Sequence, residues 1–192
     1  MGLNRLVLHP RLGGFIALDS ILVDGVFDAY DQPLAENPCI NCNLCATVCP
    51  TGAITKDQPF DFLACLTHTY RDNFIGFHNW VEAMVTSQDM AGYRSHFDDR
   101  ETALMWQSLM FRMTYRCSYC MAVCPAGEDL AAGYRQNKKL HVERILKPLK
   151  DRKEPVYVTA GSKAEAKAKS NPNKEVRIVT GLGRIPPTAG GG

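Results

Sequence analysis

The chain has 192 residues, of which 45% are hydrophobic and 22% are charged, values close to those of an average globular protein. This composition excludes disorder over most of the length, and the size suits one ordinary domain with an appendage. The net charge of +2 conceals an asymmetry. Residues 1–133 hold 8 Lys+Arg against 15 Asp+Glu, whereas residues 134–192 hold 14 against 5. The basic part is expected to face a partner or to form a solvated basic helix.

The first residues, "MGLNRLVLHPRLGGFIALDSILV", show no long apolar core after a basic region and no twin arginine. We therefore expect no signal peptide. A run of about 18 apolar residues is also missing from the sequence, so no transmembrane segment is expected. The protein is predicted to be cytoplasmic, and in that reducing compartment eight cysteines favour metal ligation over disulfides.

The N-terminal residues predict a pair of strands. Residues 5–8 and 15–23 are short apolar runs, and "HPRLGG" between them contains the turn residues Pro10, Gly13 and Gly14. The acidic, proline-containing stretch 24–38 is expected to lead as a loop into the first cysteines. We expect residues 1–33 to form an N-terminal strand pair that resembles a remnant of a reductase domain.

The interval from Cys65 to Cys117 is the most helical part of the sequence. One helix is expected over 74–86, and a second begins after an N-cap at Asp98 or Asp99. These two helices are expected to pack over the core as a helical insertion, residues 66–116. Their apolar faces are predicted to contain Phe74, Phe77, Val81 and Met84 in the first helix, and Leu104, Trp106, Leu109, Met110 and Met113 in the second.

The C-terminal residues 134–192 predict a basic α/β extension. A basic amphipathic helix should end near Pro148, and a strand (156–159), a helix (162–169) and a second strand (176–180) follow. Such a piece buries too little apolar area to stand alone. The final "IPPTAGGG" is expected to be flexible. The basic residues are not interleaved with aromatic ones as in single-strand binders, so the sequence favours protein partners over nucleic acid.

Four cysteines fall within eleven positions of "NPCINCNLCATVCPTGAI". Cys39, Cys42, Cys45 and Cys49 have the spacing C-x2-C-x2-C-x3-C and are followed by a proline, as in bacterial ferredoxins. In that motif three thiolates hold one [4Fe–4S] cube and the fourth binds the other cluster of a pair. The run therefore predicts a second group of cysteines.

The second group is "CSYCMAVCP", with Cys117, Cys120 and Cys124. It matches the last three positions of the same run, and residue 114, where the first cysteine would stand, is a threonine. Cys65 is the remaining cysteine of the chain. With Cys65 as the replacement ligand, the exchange rule predicts two sets of four. Cluster one takes Cys39, Cys42, Cys45 and Cys124, and cluster two takes Cys49, Cys65, Cys117 and Cys120.

Other interpretations stay open at this point. Two tetrahedral zinc sites would also use eight cysteines, although zinc ligands are usually paired and more widely separated. Cys65 could instead be a buried thiol, which would leave cluster two without one protein ligand. We assign no catalytic residue: a lone histidine is more often a surface or core residue, and this applies to His9, His68, His78 and His96. Asn4 and Arg5 are interpreted as a polar strand end.

The ferredoxin run with "PTGAI", the lone cysteine in "FDFLACLTHTY" and the later C-x2-C-x3-C-P group together resemble the iron–sulfur portion of epoxyqueuosine reductase. Corrinoid-dependent reductive dehalogenases are related to it, and the resemblance covers about residues 2–130. In that family a nitroreductase-like α/β domain binds cobalamin, and the clusters deliver electrons to it. The resemblance implies that cobalamin would bind here only together with a partner chain that supplies that domain.

The sequence as a whole predicts an α+β protein with a bacterial-type two-cluster ferredoxin-like core over residues 34–133, including the helical insertion. The expected function is electron transfer through two [4Fe–4S] clusters to a redox partner, as a ferredoxin-like protein or as the electron-delivering subunit of a reductase. The alternative is a shortened or split corrinoid-dependent reductase. A third candidate, in which the basic tail contacts nucleic acid, is disfavoured by the lack of stacking aromatics.

Overall fold

The computed structural model of the chain describes residues 1–111 and 115–179. By its internal contacts the chain divides into two units: Met1–Val48 with Tyr119–Lys150, and Cys49–Ser118 with the residues from Asp151 onward. The segments 1–33, 34–133 and 134–192 remain a prediction. The final "IPPTAGGG" and Met113 lie outside the described residues.

The first unit contains short helices and turns. Its helices are α1 (Leu44–Val48), α6 (Tyr119–Ala122), α7 (Glu128–Gln136), α8 (Lys138–His141) and α9 (Lys147–Lys150), with a π-helical turn at Val142–Leu146 between the last two. α1 packs against α6 and also contacts α9. Val48 and Val123 are buried among these elements.

The second unit contains α2 (Phe62–Thr69), α3 (Phe74–Thr86), α4 (Met90–His96), α5 (Asp99–Met110), β1 (Glu154–Thr159), α10 (Lys163–Lys169) and β2 (Lys174–Val179). β1 and β2 pair in parallel, from Glu154 opposite Lys174 to Thr159 opposite Val179, and α10 connects them. Val156 and Val158 of β1 pack with Ala164 and Ala168 of α10 in a buried cluster that Ala64 of α2 joins. The strand, helix and strand expected from this part of the sequence are thus present, and β1 supports α2.

The mixture of helices with a small strand pair fits the α+β class expected from the sequence. None of the helices in the described ranges is both long and apolar enough to cross a membrane.

The predicted N-terminal strand pair is wrong. His9 and Gly13 form one isolated antiparallel bridge at the expected turn, but residues 5–8 and 15–23 form no strands. The apolar side chains of the second run are exposed, reaching 87% at Ile21 and 100% at Leu22. A two-stranded hairpin is marginal in water unless it packs on another layer. Within the described residues, no layer buries these side chains.

The turn at His9–Gly13 lies against the start of α7. Gly13 (φ 63°) and Gly127 (φ 97°) both adopt left-handed backbone, and a Cβ on Gly13 would lie 2.0 Å from the Ala126 carbonyl oxygen. The carbonyl oxygens of Pro10 and Arg11 accept the first backbone N–H groups of α7 at 3.0 and 3.3 Å. They serve as the cap that Gly127 cannot provide with a side chain.

The predicted apolar faces of α3 and α5 are only partly buried: Val81 and Leu104 are half-buried, and the side chain of Phe74 lies outside the described residues. In α5, Met105 and Glu101 are buried, whereas Trp106, Leu109 and Met110 are more than half exposed. In α3, Phe77 and Met84 are partly exposed, and Ala83 packs instead with Trp80, Tyr93 and Phe97. Periodicity could not show this, because the buried face is selected by partners from distant parts of the chain.

The basic stretch after the last cysteine is interrupted rather than one helix. Asn137 has non-helical backbone (φ −145°, ψ 77°), and its side chain accepts the Leu140 N–H at 2.9 Å, so it caps a new helix. The helix also continues through Pro148 instead of ending there. The π-helical turn pairs the Lys147 N–H with the Val142 carbonyl, and this wider spacing precedes a proline that cannot donate an i→i−4 bond.

Candidate metal centre

The loop that carries the first cysteines bends sharply at two asparagines. Asn41 (φ 52°) and Asn43 (φ 60°) occupy left-handed backbone between successive cysteines, a conformation that asparagine tolerates better than most residues. The Asn37 side chain accepts the Cys39 N–H at 3.1 Å and donates to the Met1 carbonyl at 2.9 Å. Cys45 lies in the first turn of α1. The short spacers thus curl the loop tightly between these cysteines.

Four thiols of the first unit lie close together. The pKa of Cys45 is raised to about 11, mainly by burial and in smaller part by the negative charges of Cys42, Cys124 and Cys39. The pKa of Cys124 is raised by burial and by Cys42 and Cys39. Cys124, 79 residues after Cys45, thus lies near the first three cysteines of the run.

A cavity adjoins these thiols. Its lining includes the same four cysteines with Leu3, Asn4, Ile40, Asn41, Asn43, Pro125 and Ala126. The Ala46 and Ala126 backbone N–H groups donate to the sulfurs of Cys45 and Cys124, and these bonds oppose the rise in pKa. Thiolates crowded in this way need a positively charged group to balance them. The donor set therefore fits a cationic iron–sulfur core.

The second unit holds Cys49, Cys65 and Cys117. Burial raises the pKa of Cys65, and the Cys49 thiolate raises it further, so these two sulfurs interact. The Thr69 hydroxyl lies 3.6 Å from the Cys65 sulfur and opposes the shift. Cys120 belongs to the first unit, in α6.

The two ends of the predicted insertion meet. The Arg116 N–H donates to the Thr69 carbonyl at 3.0 Å, and the Arg116 guanidinium pairs with Asp72 at 2.5 Å. The rings of Tyr70 and Tyr115 contact edge-to-face with centroids 5.2 Å apart. Cys65 lies one helical turn before Thr69, and Cys117 directly follows Arg116.

Two residues near the cysteines were not found by sequence reasoning. Buried Asn4, expected as a polar strand end, donates from its side chain to the Cys120 carbonyl at 3.3 Å. His141 Nε2 lies 3.0 Å from the Val123 carbonyl oxygen. Both hold the backbone of the second cysteine group within the first unit. No local sequence pattern links residue 4 to residue 120, so this role was not visible in the sequence.

Of the histidines weighed as proton donors, His78 and His96 are exposed, and His9 accepts backbone N–H groups in its own turn. His68 is buried in α2, where its Nδ1 accepts the Tyr157 N–H at 3.4 Å. Within residues 1–111 and 115–179, no three His, Cys, Asp or Glu side chains gather closely enough to hold a single metal ion. A [4Fe–4S] cube differs in this respect, because its four thiolates bind four separate corners.

We predict that His68 makes stability dependent on pH. Burial lowers the pKa of His68 to about 3, and the charges of Arg116 and Lys174 add to this effect. The unfolded chain would protonate it near pH 6.5, so stability is full above that value and is lost as the pH falls towards 3. The free energy of unfolding is followed from pH 7.5 to 5.5. Below pH 6.5 it should fall by up to about 1.4 kcal/mol for each pH unit.

The measurement is denaturant unfolding of the wild type and of His68→Asn, which keeps an acceptor for the Tyr157 N–H but does not titrate. In the variant, the free energy of unfolding should depend less steeply on pH, by the equivalent of about one bound proton. His78→Asn, at an exposed histidine, serves as the control and should keep the wild-type slope. Identical slopes for the wild type and His68→Asn would contradict the prediction.

Comparison with known proteins supports iron–sulfur binding by the first cysteine run. Residues 36–55 match the family described as 4Fe-4S binding domain. Epoxyqueuosine reductase of Cyclobacterium marinum is 31% identical over 97 residues, which cover 46% of this chain and 31% of that protein. The Escherichia coli enzyme of the same name is 37% identical over 67 residues, 35% of this chain and 17% of that protein. The Bacillus anthracis enzyme is 24% identical over 129 residues, 67% and 27% respectively.

These curated relatives are much longer, since each match covers less than a third of the relative. No solved structure matches the chain. The chain carries an iron–sulfur domain that resembles the corresponding part of epoxyqueuosine reductase, and the resemblance expected from the sequence is confirmed.

Proposed function

We propose that this chain transfers electrons through two [4Fe–4S] clusters, as a ferredoxin-like protein or as the electron-delivering subunit of a reductase. The observation that supports this most is that Cys39, Cys42, Cys45 and Cys124, the set proposed for cluster one, line one cavity. The sequence assigns Cys49, Cys65, Cys117 and Cys120 to cluster two, and the interaction of Cys49 with Cys65 supports part of that set.

The residues around cluster one have definable tasks. A bound [4Fe–4S] cluster takes up and releases single electrons at a potential set by burial, net charge and hydrogen bonds to its sulfurs. Cys45 is buried and Cys124 is partly buried, and both sulfurs accept backbone N–H groups, from Ala46 and Ala126, which favour the charged thiolate. Asn4 fixes the backbone at Cys120, and buried Val48 excludes water from the helix that carries Cys45.

The deciding experiment is iron and sulfide analysis of protein purified without oxygen, combined with electron paramagnetic resonance of the reduced form. The proposal requires about eight iron and eight sulfide per chain, and two interacting paramagnets on full reduction. About four of each would reduce the proposal to one cluster. Two zinc ions in place of iron would overturn it.

We further propose that the redox partner docks on the acidic apolar segment, residues 15–34. Side chains along it are exposed, among them Leu18 (70%), Ile21 (87%), Leu22 (100%) and Val26 (96%). No lysine or arginine occurs between Arg11 and Lys56, whereas Asp19, Asp24, Asp28, Asp31 and Glu36 do. The segment leads directly to Cys39, so a protein with a basic rim that binds it would lie near cluster one.

Ile21→Asp should lower the rate constant of electron transfer to that partner about tenfold or more, because it places a charge in the apolar contact. The partner is first identified by anaerobic co-purification, and the rate is then measured by stopped flow against ionic strength. Val85→Asp, at a 78% exposed position of α3, is the matched control and should leave the rate unchanged. Equal electron-transfer rates for both variants would argue against this docking surface, and so would a wild-type rate that does not decrease as salt is added.

A second candidate function follows from the relatives, all named epoxyqueuosine reductase. In this alternative the chain is the iron–sulfur part of a split corrinoid-dependent reductase, and cobalamin binds together with a partner chain. We assign none of the described residues to cobalamin. Visible spectroscopy after reconstitution with cobalamin separates the two functions: if the co-purified complex binds no corrinoid, the reductase alternative fails.

A further inference from the structure

The residue directly before Cys117 makes a buried ion pair across the insertion. The Arg116 Nη2 lies 2.5 Å from Asp72 Oδ1, although the two residues are 44 positions apart. Their side chains are 11% and 5% exposed. The Arg116 guanidinium also lies over the Tyr157 ring, 4.8 Å from its centroid. Burial on several sides gives this pair one fixed geometry.

Thr69 connects the same pair to Cys65. Its carbonyl accepts the Arg116 N–H at 3.0 Å, and its hydroxyl lies 3.6 Å from the Cys65 sulfur. Thr69 is the last residue of α2, and Cys65 stands one turn earlier in the same helix. One residue thus touches both the thiol of Cys65 and the backbone that leads into Cys117.

We propose that Arg116 and Asp72 are positioning residues for the second cluster. Their ion pair closes the loop of the insertion and thereby sets the distance between Cys65 and Cys117. This inference rests on the proposed function, because it assumes that both cysteines bind one cluster. In the full ferredoxin run, a cysteine at residue 114 would be held near Cys117 by the two-residue spacer. Residue 114 is a threonine here, so the ion pair takes over this positioning for the distant ligand Cys65.

The physical reason is the cost of an unpaired buried charge. Removing Asp72 leaves the Arg116 guanidinium buried without its carboxylate, and removing Arg116 leaves the carboxylate. Either charge gains free energy by moving towards water, which pulls the two ends of the insertion apart. Replacing both residues with neutral amide side chains removes both buried charges.

The test uses full-length holoprotein with Asp72→Asn, Arg116→Gln and the double variant. Each single variant should bind the second cluster about 10- to 100-fold more weakly, as is typical when a residue that orients a metal ligand is lost. At limiting iron the content should fall from about eight to about four atoms per chain, with the signal of cluster one unchanged. The double variant should regain most of the second signal.

A purely structural role would give a different pattern. Circular dichroism and denaturant unfolding establish that each variant is folded at the temperature of the measurement. If folded Asp72→Asn and Arg116→Gln keep both cluster signals at equal weight, the pair does not position the ligands and the inference is overturned. If the wild type itself holds one cluster or none, the proposed function has failed, and the inference fails with it.

Discussion

Replacing Cys65 with alanine should remove the second cluster and leave the first intact, so that iron falls from about eight to about four atoms per chain. In the proposed arrangement Cys65 supplies the ligand missing at residue 114, and the charge of Cys49 acts on its thiol. A cube held by three protein ligands has one iron without a thiolate, which weakens the binding of the whole cluster. The proposed ligands of cluster one are Cys39, Cys42, Cys45 and Cys124, so we expect its paramagnetic signal to stay unchanged.

Two controls make this result interpretable. Leu63→Ala changes a 60% exposed residue of the same helix and should keep both clusters, which tests for effects of altering α2. Cys45→Ala should produce the opposite loss, with the first signal gone and the second retained. If Cys65→Ala keeps about eight iron atoms, Cys65 is the buried thiol considered as an alternative, and another ligand completes the second cluster.

Features that depend on nearby residues were predictable from the sequence. The run from Cys39 to Cys49 needs only short spacers, and it predicted the iron–sulfur domain that the comparisons show. The start of α5 was predicted from Asp98, whose side chain accepts the Glu101 N–H while the Glu101 side chain accepts the Asp98 N–H. Both features are encoded within a dozen residues.

Features that depend on distant partners were not predictable. The apolar run 15–23 has strand-like composition, but no described layer covers it, so it forms no strand and stays largely exposed. In α5 the buried side is chosen by Tyr157 and Arg177, more than 50 residues away, and not by the apolar pattern of the helix. Because the cysteine count assigned Cys65 and Cys117 to one cluster, it implied that the two ends of the insertion approach each other. It did not predict the ion pair between Arg116 and Asp72.

Glu101→Ala should lower the free energy of unfolding by about 3–5 kcal/mol, the range expected when one partner of a buried charge network is removed. The Glu101 carboxylate is 4% exposed, accepts the Tyr157 hydroxyl and lies 3.5 Å from the Arg177 guanidinium. It also favours the charged form of Arg71, whose pKa burial lowers to about 10. Without Glu101, the buried Tyr157 hydroxyl loses this acceptor, and Arg71 loses the larger of the two carboxylate charges that oppose the effect of its burial.

The matched control is Asp99→Ala, two residues earlier in the same helix. Asp99 pairs with Arg94, but the two side chains are 76% and 54% exposed, so its loss should cost at most about 1 kcal/mol. Denaturant unfolding of holoproteins with equal iron content measures both variants. Glu101→Gln should fall between them, since it keeps an acceptor for the Tyr157 hydroxyl but removes the negative charge that acts on Arg71 and Arg177. Similar losses for Glu101→Ala and Asp99→Ala would mean that the buried network contributes no more than a surface ion pair.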